Sequence, residues 1–431
     1  MSSTTVAPAP PAPASAPPAR GLLRRWRDLG RPPRLMGLDV ARALAVIGMV
    51  AAHVAHVPPL AWTRPGTWGG IVAGHPSILF ALVAGVAVAL STGREEPPAG
   101  DRLRAARLAL TGRGLVVLAI GLALELLGSP VVVILAVYGV LFVALTPVLG
   151  WSRRRLVVAA VAIALAGPAV LAGVSALALG GGSGAGVQLL LQGAYPATTW
   201  LPLLLAGMAL GRCRLGTTRV ALRLLAGGVL LAVLGHGAGA ALDPGDATAS
   251  SGAGSSGVAI DAQGNVLEPG SGDAPQVDQD AASSSGDVEV PGYPERLRES
   301  VDVRRLADVA LSSAPHSGGT LEIVGAGGVA TAVLGGCLLL SRPLRPALVP
   351  LAAVGSMPLT CYTLHVVSVA VLIEPGGLLV HRLTEDGAPG GSGLFTWSVA
   401  VALVGCTAWA LTLGRGPLER LTGRAARALA R

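Results

Sequence analysis

The sequence predicts an all-α fold, a polytopic membrane bundle of about ten transmembrane helices with both termini in the cytoplasm. Only 13% of its residues are charged and its mean hydropathy is +0.64, whereas soluble domains carry about 25% charged residues. Apolar runs long enough to cross a bilayer as helices recur along the chain. Arginine-rich connections alternate with connections that carry few or no arginines, as the positive-inside rule requires. A transmembrane β-barrel would show alternating segments of about ten residues instead.

The predicted spans form two groups, one in residues 34–242 and one in residues 319–414. The arginine-rich connections place both chain ends on the cytoplasmic side. The approximate bounds of the spans are Leu35–Val57, Gly70–Ser91, Gly114–Leu127, Val131–Leu149, Leu156–Leu179, Leu201–Leu210, Val220–Leu242, Leu321–Leu340, Ala347–Ile373 and Leu394–Leu413.

Three segments outside the spans are polar. Residues 1–33, a Pro/Ala/Ser tract followed by arginines, are expected to form a disordered cytoplasmic tail. Residues 243–318 are expected to form an extracytoplasmic loop, acidic and disordered up to residue 291, with a short amphipathic helix at 293–310. Residues 415–431 form a basic cytoplasmic tail. Before span three, the sequence R-L-R-A-A-R-L-A-L is compatible with an interfacial amphipathic helix.

Composition excludes several classes of chemistry. The net charge is +8, and all the positive charge is arginine because the sequence has no lysine, which excludes a P-loop lysine and a Schiff-base lysine. The arginines lie in short connections, which favours lipid contacts over nucleic-acid binding. No metal site is expected, because the four cysteines lack CxxC spacing and no HExxH is present. The sequence contains no GxSxG motif, so a serine hydrolase is not indicated.

All seven histidines fall in the outer half of a predicted span or in an outer loop. Ionisable groups at such depths are costly, so each is a functional-site hypothesis. His75 is a candidate catalytic residue because it starts a helix, where free N–H groups can hold an oxyanion. His316 is a second candidate, with Glu322 six residues later as the group that orients the base. His365, inside span nine, is a third.

Structural alternatives stay open for these residues. A histidine at the outer interface can be a tolerated polar side chain, and His316 can be a cap or an interfacial anchor. His53 and His56 lie in the same hairpin as His75, while His236 and His381 are interpreted as structural.

Asp39 and Arg42 begin span one and share one helix face, so an ion pair between them is expected. A structural pair at the inner interface is the favoured interpretation. The functional alternative is that Arg42 faces an anionic group that enters from the cytoplasm.

Several motifs resemble the transmembrane acyltransferase superfamily, which includes heparan-α-glucosaminide N-acetyltransferase-like and bacterial YeiB-like membrane proteins. They are R-L-x-G-L-D-x-x-R-A-L-A and S-x-L-F-A-L-V-A-G in spans one and two, A-P-H-S-G-G-T-L-E-I-V-G before span eight, G-S-M-P-L-T-C-Y-T-L-H in span nine, and G-R-G-P-L-E at the end. The likeness covers nearly all spans but not residues 243–291.

The resemblance implies an acyltransferase that moves an acyl group, usually acetyl, from cytoplasmic acetyl-CoA to a cell-envelope sugar on the far side of the membrane. The histidines would then form the transfer site, and Arg42, beside Asp39, would hold the CoA phosphates. The expected location is the cytoplasmic membrane, with lipids, acyl-CoA and a glycan acceptor as partners and a homodimer as one option. The alternative is a transporter or a lipid- or glycan-handling protein without acyl-transfer chemistry.

Overall fold

The computed structural model describes residues 21–31, 34–55, 57–58, 60, 64–129, 131–177, 186, 195–242, 259–260, 266–267, 307–308, 310–373 and 392–430. In this part of the chain the fold is helical, as predicted. The helices are α1 (Leu22–Asp28), α2 (Met36–Val54), α3 (His75–Ser91), α4 (Gly100–Glu125), α5 (Leu135–Ala144), α6 (Arg153–Leu177), α7 (Ala197–Gly211), α8 (Thr218–Leu242), α9 (Thr320–Leu340), α10 (Val349–Ser356), α11 (Pro358–Ile373), α12 (Ser392–Thr412) and α13 (Pro417–Leu429).

Short elements complete the described fold. Two 3₁₀ helices, Pro65–Val72 and Thr146–Gly150, precede α3 and follow α5. Two strands of two residues each, Ala259–Ile260 and Val266–Leu267, pair antiparallel inside the acidic segment that was predicted to be disordered.

The predicted spans coincide with apolar helices. Six helices in the described residues are long and apolar enough to cross a membrane, namely α2, α4, α6, α8, α9 and α12. Two bent pairs, Pro65–Val72 with α3 (44°) and α10 with α11 (81°), raise the number to eight if each pair is one span. Helices α5 and α7 are apolar but shorter. The count of ten spans and the orientation of the ends therefore stay predictions.

Helix α4 differs from its prediction. The basic stretch at 102–110 continues into span three as one helix of 26 residues rather than forming a separate interfacial helix. Its interior glycines let neighbouring helices pack closely against it. A Cβ on Gly112 would lie 2.9 Å from the backbone oxygen of Ala425, and a Cβ on Gly114 would lie 2.8 Å from the backbone oxygen of Gly139.

Both polar ends contain helices that were not predicted. Helix α1 lies within the tail predicted to be disordered, and Arg25 donates from Nη1 to the backbone oxygens of Leu411 and Thr412 at 2.7 and 2.9 Å. Helix α13 lies in the basic tail. It begins with proline, carries Glu419 in its first turn and Arg427 in its last, and is strongly amphipathic.

The bend between α10 and α11 is held by helix α13. The Glu419 carboxylate accepts a hydrogen bond from the backbone N–H of Thr360 (3.0 Å) and one from its hydroxyl (2.6 Å). A carboxylate at the first turn of a helix satisfies N–H groups that have no partner inside the helix. The bend is therefore a fixed feature of the fold.

Glycines allow the helix backbones to touch. Where α3 crosses α7, a Cβ on Gly85 would lie 2.1 Å from the Leu204 carbonyl oxygen, and one on Gly207 would lie 2.0 Å from that of Leu82. Helices in a bilayer associate through such close contacts, because lipid provides no hydrophobic driving force between them.

The bundle has two chemically different ends. The end of α2 meets the start of α3, where a Cβ on Gly48 would lie 2.6 Å from Pro76. We call this the histidine end, which holds His53, His75, His236 and His316. At the opposite end Arg212 is buried and donates to the backbone oxygens of Thr92, Arg94 and Leu149. We call this the arginine end.

Candidate active site

A tight turn before α9 is fixed by one carboxylate. Glu322 is 3% exposed and accepts hydrogen bonds from the backbone N–H of His316 (2.6 Å), the backbone N–H of Gly318 (2.8 Å) and the hydroxyl of Ser317 (3.3 Å). Such bonds to a carboxylate are stronger than those between neutral groups. The turn is therefore fastened to the first turn of α9.

His316 occupies an uncommon backbone conformation in this turn. Its φ angle is +65°, in the left-handed region that most side chains avoid. Desolvation lowers the pKa of His316 below its ordinary value, which favours the neutral ring. The ring centroid lies 6.4 Å from that of Tyr195 in an edge-on arrangement.

The predicted pairing of a His316 base with a Glu322 orienter needs correction. The carboxylate accepts hydrogen bonds from two backbone N–H groups and the serine hydroxyl of the turn, rather than from the His316 ring. The physical reason is that the turn folds over α9 and offers three donors to the same carboxylate. Glu322 therefore positions His316 through the backbone.

His75 begins α3, as predicted, and its orientation defines its tautomer. Its Nδ1 lies 3.0 Å from the backbone oxygen of Ala73. A carbonyl oxygen only accepts, so Nδ1 carries the proton in this bond, and in the neutral ring Nε2 is the nitrogen with the lone pair. Gly74, with φ +75°, makes the sharp entry, and the hydroxyl of Ser77 donates to its carbonyl oxygen at 2.7 Å.

His236 lies beside His75, although its sequence context indicated a structural role. The ring centroids are 5.5 Å apart with planes inclined by 44°. The Nε2 atom of His236 is buried and has no hydrogen-bond partner among the described residues. The only sequence signal was its position in the same half of the bundle as the other histidines.

The turn brings His316 to the same place. A Cβ on Gly74 would lie 3.2 Å from Pro315 and 3.8 Å from Nε2 of His316. A small cavity of about 10 Å³ is lined by His75, His236 and Glu322 together with neighbouring residues of both segments. That volume is about the space one water molecule needs.

Two further polar side chains flank the turn. The hydroxyl of Thr199 and the indole N–H of Trp200 are buried without partners among the described residues. A Cβ on Gly318 would lie 3.3 Å from the Thr199 hydroxyl. Buried polar atoms without partners are uncommon in stable proteins. No sequence signal indicated either residue.

His365 is placed in a different pair. Its Nε2 lies 3.0 Å from Nδ1 of His53, and the two rings stack with centroids 5.3 Å apart. His365 does not line the cavity beside His75. The structure thus brings together three of the four predicted catalytic residues, His75, His316 and Glu322. The catalytic roles stay predictions. His56 and His381 lie outside the described residues.

The arginine end contains the expected ion pair and more positive charge around it. Asp39 is 2% exposed and binds Arg42 at 2.6 Å, and also Arg34 at 2.5 Å. Arg113 lies close enough to Arg42 and Arg415 for their charges to repel it. Positive charge from Arg34, Arg42, Arg113 and Arg415 is therefore concentrated at this end of the bundle.

Among the described residues, no group of three or more His, Cys, Asp or Glu side chains is placed to hold a metal ion.

The helices and the buried ionisable groups at both ends define a multi-pass helical membrane protein. Residues 34–237 match the family model described as "Heparan-alpha-glucosaminide N-acetyltransferase, catalytic". The match confirms the predicted resemblance to the transmembrane acyltransferase superfamily. The matched segment includes Arg42, His75 and His236 and ends before His316. No curated protein and no solved structure matches the chain.

Proposed function

We propose that the protein transfers an acyl group, most simply acetyl, from cytoplasmic acyl-CoA to an amine or hydroxyl of an extracytoplasmic cell-envelope sugar, and that it does so in the cytoplasmic membrane. The proposal is carried by one observation: within the matched segment, His75 lines the cavity at the histidine end and its Nδ1 lies 3.0 Å from the Ala73 carbonyl oxygen, so Nε2 is the nitrogen left to act as a base. The matched family is one of acetyltransferases.

The arginine end suits the donor. Arg42, Arg113 and Arg415 present positive charge that would hold the phosphates of acyl-CoA, since a guanidinium group binds phosphate with two parallel hydrogen bonds. Arg42 and His53 lie on the same helix, and eleven residues of α-helix span about 16 Å. The thioester arm of the donor would have to extend over about this distance, from the arginine end to the histidine end.

The proposed reaction at the histidine end is general-base catalysis. Nε2 of His75 takes the proton of the acceptor amine or hydroxyl while the acceptor atom bonds to the acyl carbon. The carbon–sulfur bond then breaks, the CoA thiolate leaves, and it takes the proton back from the imidazolium. The hydrogen bond from Nδ1 to the Ala73 carbonyl stabilises that imidazolium.

A His75→Asn variant tests this role. The asparagine amide can take the place of Nδ1 and keep the bond to Ala73, but it has no basic atom at the position of Nε2. We expect formation of acetylglucosamine from acetyl-CoA and glucosamine to fall by about 10²–10⁴-fold. The measurement uses purified protein in lipid nanodiscs, with product quantified by chromatography.

Two controls accompany this variant. Its melting temperature should equal that of the wild type, and added imidazole should restore part of the activity. Equal turnover in both proteins would exclude His75 as the base.

A second candidate function, transport without chemistry, is favoured by the 81° bend between α10 and α11, because broken helices form substrate sites in transporters. The assay distinguishes the two. Glucosamine uptake into proteoliposomes without acetyl-CoA consumption would favour the transporter.

A further inference from the structure

An open groove lies away from the candidate active site, on the exposed side of α6. Its volume is about 490 Å³ and it is lined by Trp151, Arg154, Arg155, Val158 and Ala159. A cavity of this size falls in the range of small-molecule sites. Neither the acyl donor nor the acceptor needs it, because it lies outside the bundle.

The groove changes from charged to apolar along the helix. Arg154 and Arg155 stand in the first turn of α6, and Val158 and Ala159 follow four residues later on the same face. Four residues of helix advance about 6 Å. Large exposed side chains farther along the helix are also apolar, and these are Val161, Leu165 and Val170. The groove therefore continues into the lipid-facing surface of the helix.

The charged end of the groove lacks a counterion. Neither Arg154 nor Arg155 forms an ion pair with a carboxylate in the described part of the chain. The first turn of α6 holds three consecutive arginines and no acidic residue, although cations are unfavourable at this end of a helix. Trp151 adds an aromatic ring of the type found at the level of lipid headgroups.

We propose that this groove binds one acidic phospholipid. Its phosphate would lie between the two guanidinium groups, its glycerol region against Trp151, and the start of an acyl chain along Val158 and Ala159. A zwitterionic lipid would bind more weakly, because its ammonium group offsets the charge of its phosphate. A free phosphate would leave the apolar half of the groove unfilled.

The test uses binding of phosphatidylglycerol to the full chain in detergent, measured by native mass spectrometry and by the rise in melting temperature on lipid addition. The double variant Arg154→Gln/Arg155→Gln should bind phosphatidylglycerol at least tenfold more weakly. Val158→Trp, which fills the groove without changing charge, should have the same effect. Phosphatidylcholine should give no comparable shift with any of these proteins.

The matched control is Arg424→Gln/Arg427→Gln, which removes the same charge from exposed positions on α13. This variant should bind phosphatidylglycerol like the wild type. Equal loss in both double variants would overturn the proposal, because it would show only a general attraction to positive charge. A full stabilisation by inorganic phosphate would also overturn it, since the site would then be a simple anion site.

Discussion

The carboxylate of Glu322 offers the sharpest test of how the histidine end is built. Replacing it with alanine removes the acceptor of the backbone N–H groups of His316 and Gly318, and Gly318 is buried. A hydrogen bond to a charged group contributes about 1.5–3 kcal/mol. Two such bonds give an upper value of about 3–6 kcal/mol, and the Ser317 hydroxyl is not counted because it can rotate toward another acceptor.

One effect opposes this loss. Removing a carboxylate that is 3% exposed also removes the cost of burying its charge. We therefore expect Glu322→Ala to lower the free energy of unfolding by about 2–4 kcal/mol. Glu322→Gln keeps one carbonyl oxygen but directs an amide donor at a backbone donor, so its effect should be intermediate.

The assay is thermal unfolding in one detergent at one pH. The control is Glu95→Gln, which removes the exposed ion pair with Arg214 and should leave the melting temperature unchanged, since exposed pairs contribute little. The reasoning is refuted if Glu322→Ala melts at the same temperature as the Glu95 variant.

Three further predictions concern packing and charge. Gly355→Ala would place a Cβ 1.7 Å from the backbone oxygen of Asp39, so it should destabilise the fold by about 1–3 kcal/mol or more, while Gly336→Ala, with nothing within 4 Å, should not lower the melting temperature. Asp39→Asn leaves Arg42 without its counterion and should cost about 3–5 kcal/mol; a melting temperature like the wild type would contradict this. Because burial lowers the pKa of His316, its contribution to stability is present above the unfolded pKa near 6.5 and is lost as pH falls through the folded value. His316→Gln should therefore lose less stability than the wild type between pH 7 and pH 5 in a pH series of melting curves, and parallel curves would argue against it.

The spans were predictable because hydropathy alone defines them. Apolar runs of bilayer length and flanking arginines act locally, and each predicted span coincides with a described helix or bent pair. The 81° bend at Met357 was not predicted, because it depends on Glu419, sixty-two residues later in the chain. Helix α13 was missed for a similar reason, since its apolar face is short and packs on α4.

The candidate site was predictable only to the level of one end of the bundle. Because successive helices alternate in direction, the residues after α2 and those before α3 and α9 lie at the same end of the bundle. His75 and His316 were therefore predicted to lie at the same end. Which rings meet depends on helix rotation, and hydropathy does not encode that. His236 therefore meets His75, whereas His365 meets His53.

The two bonds from Thr360 to Glu419 have a mechanical consequence. Helix α11 cannot swing relative to α10 while these bonds hold, unless α13 travels with it. The last helix thus restrains the helix that carries His365, through a contact at Thr360, five residues earlier in the chain. Cutting the chain after residue 415 would free the hinge and leave every span intact.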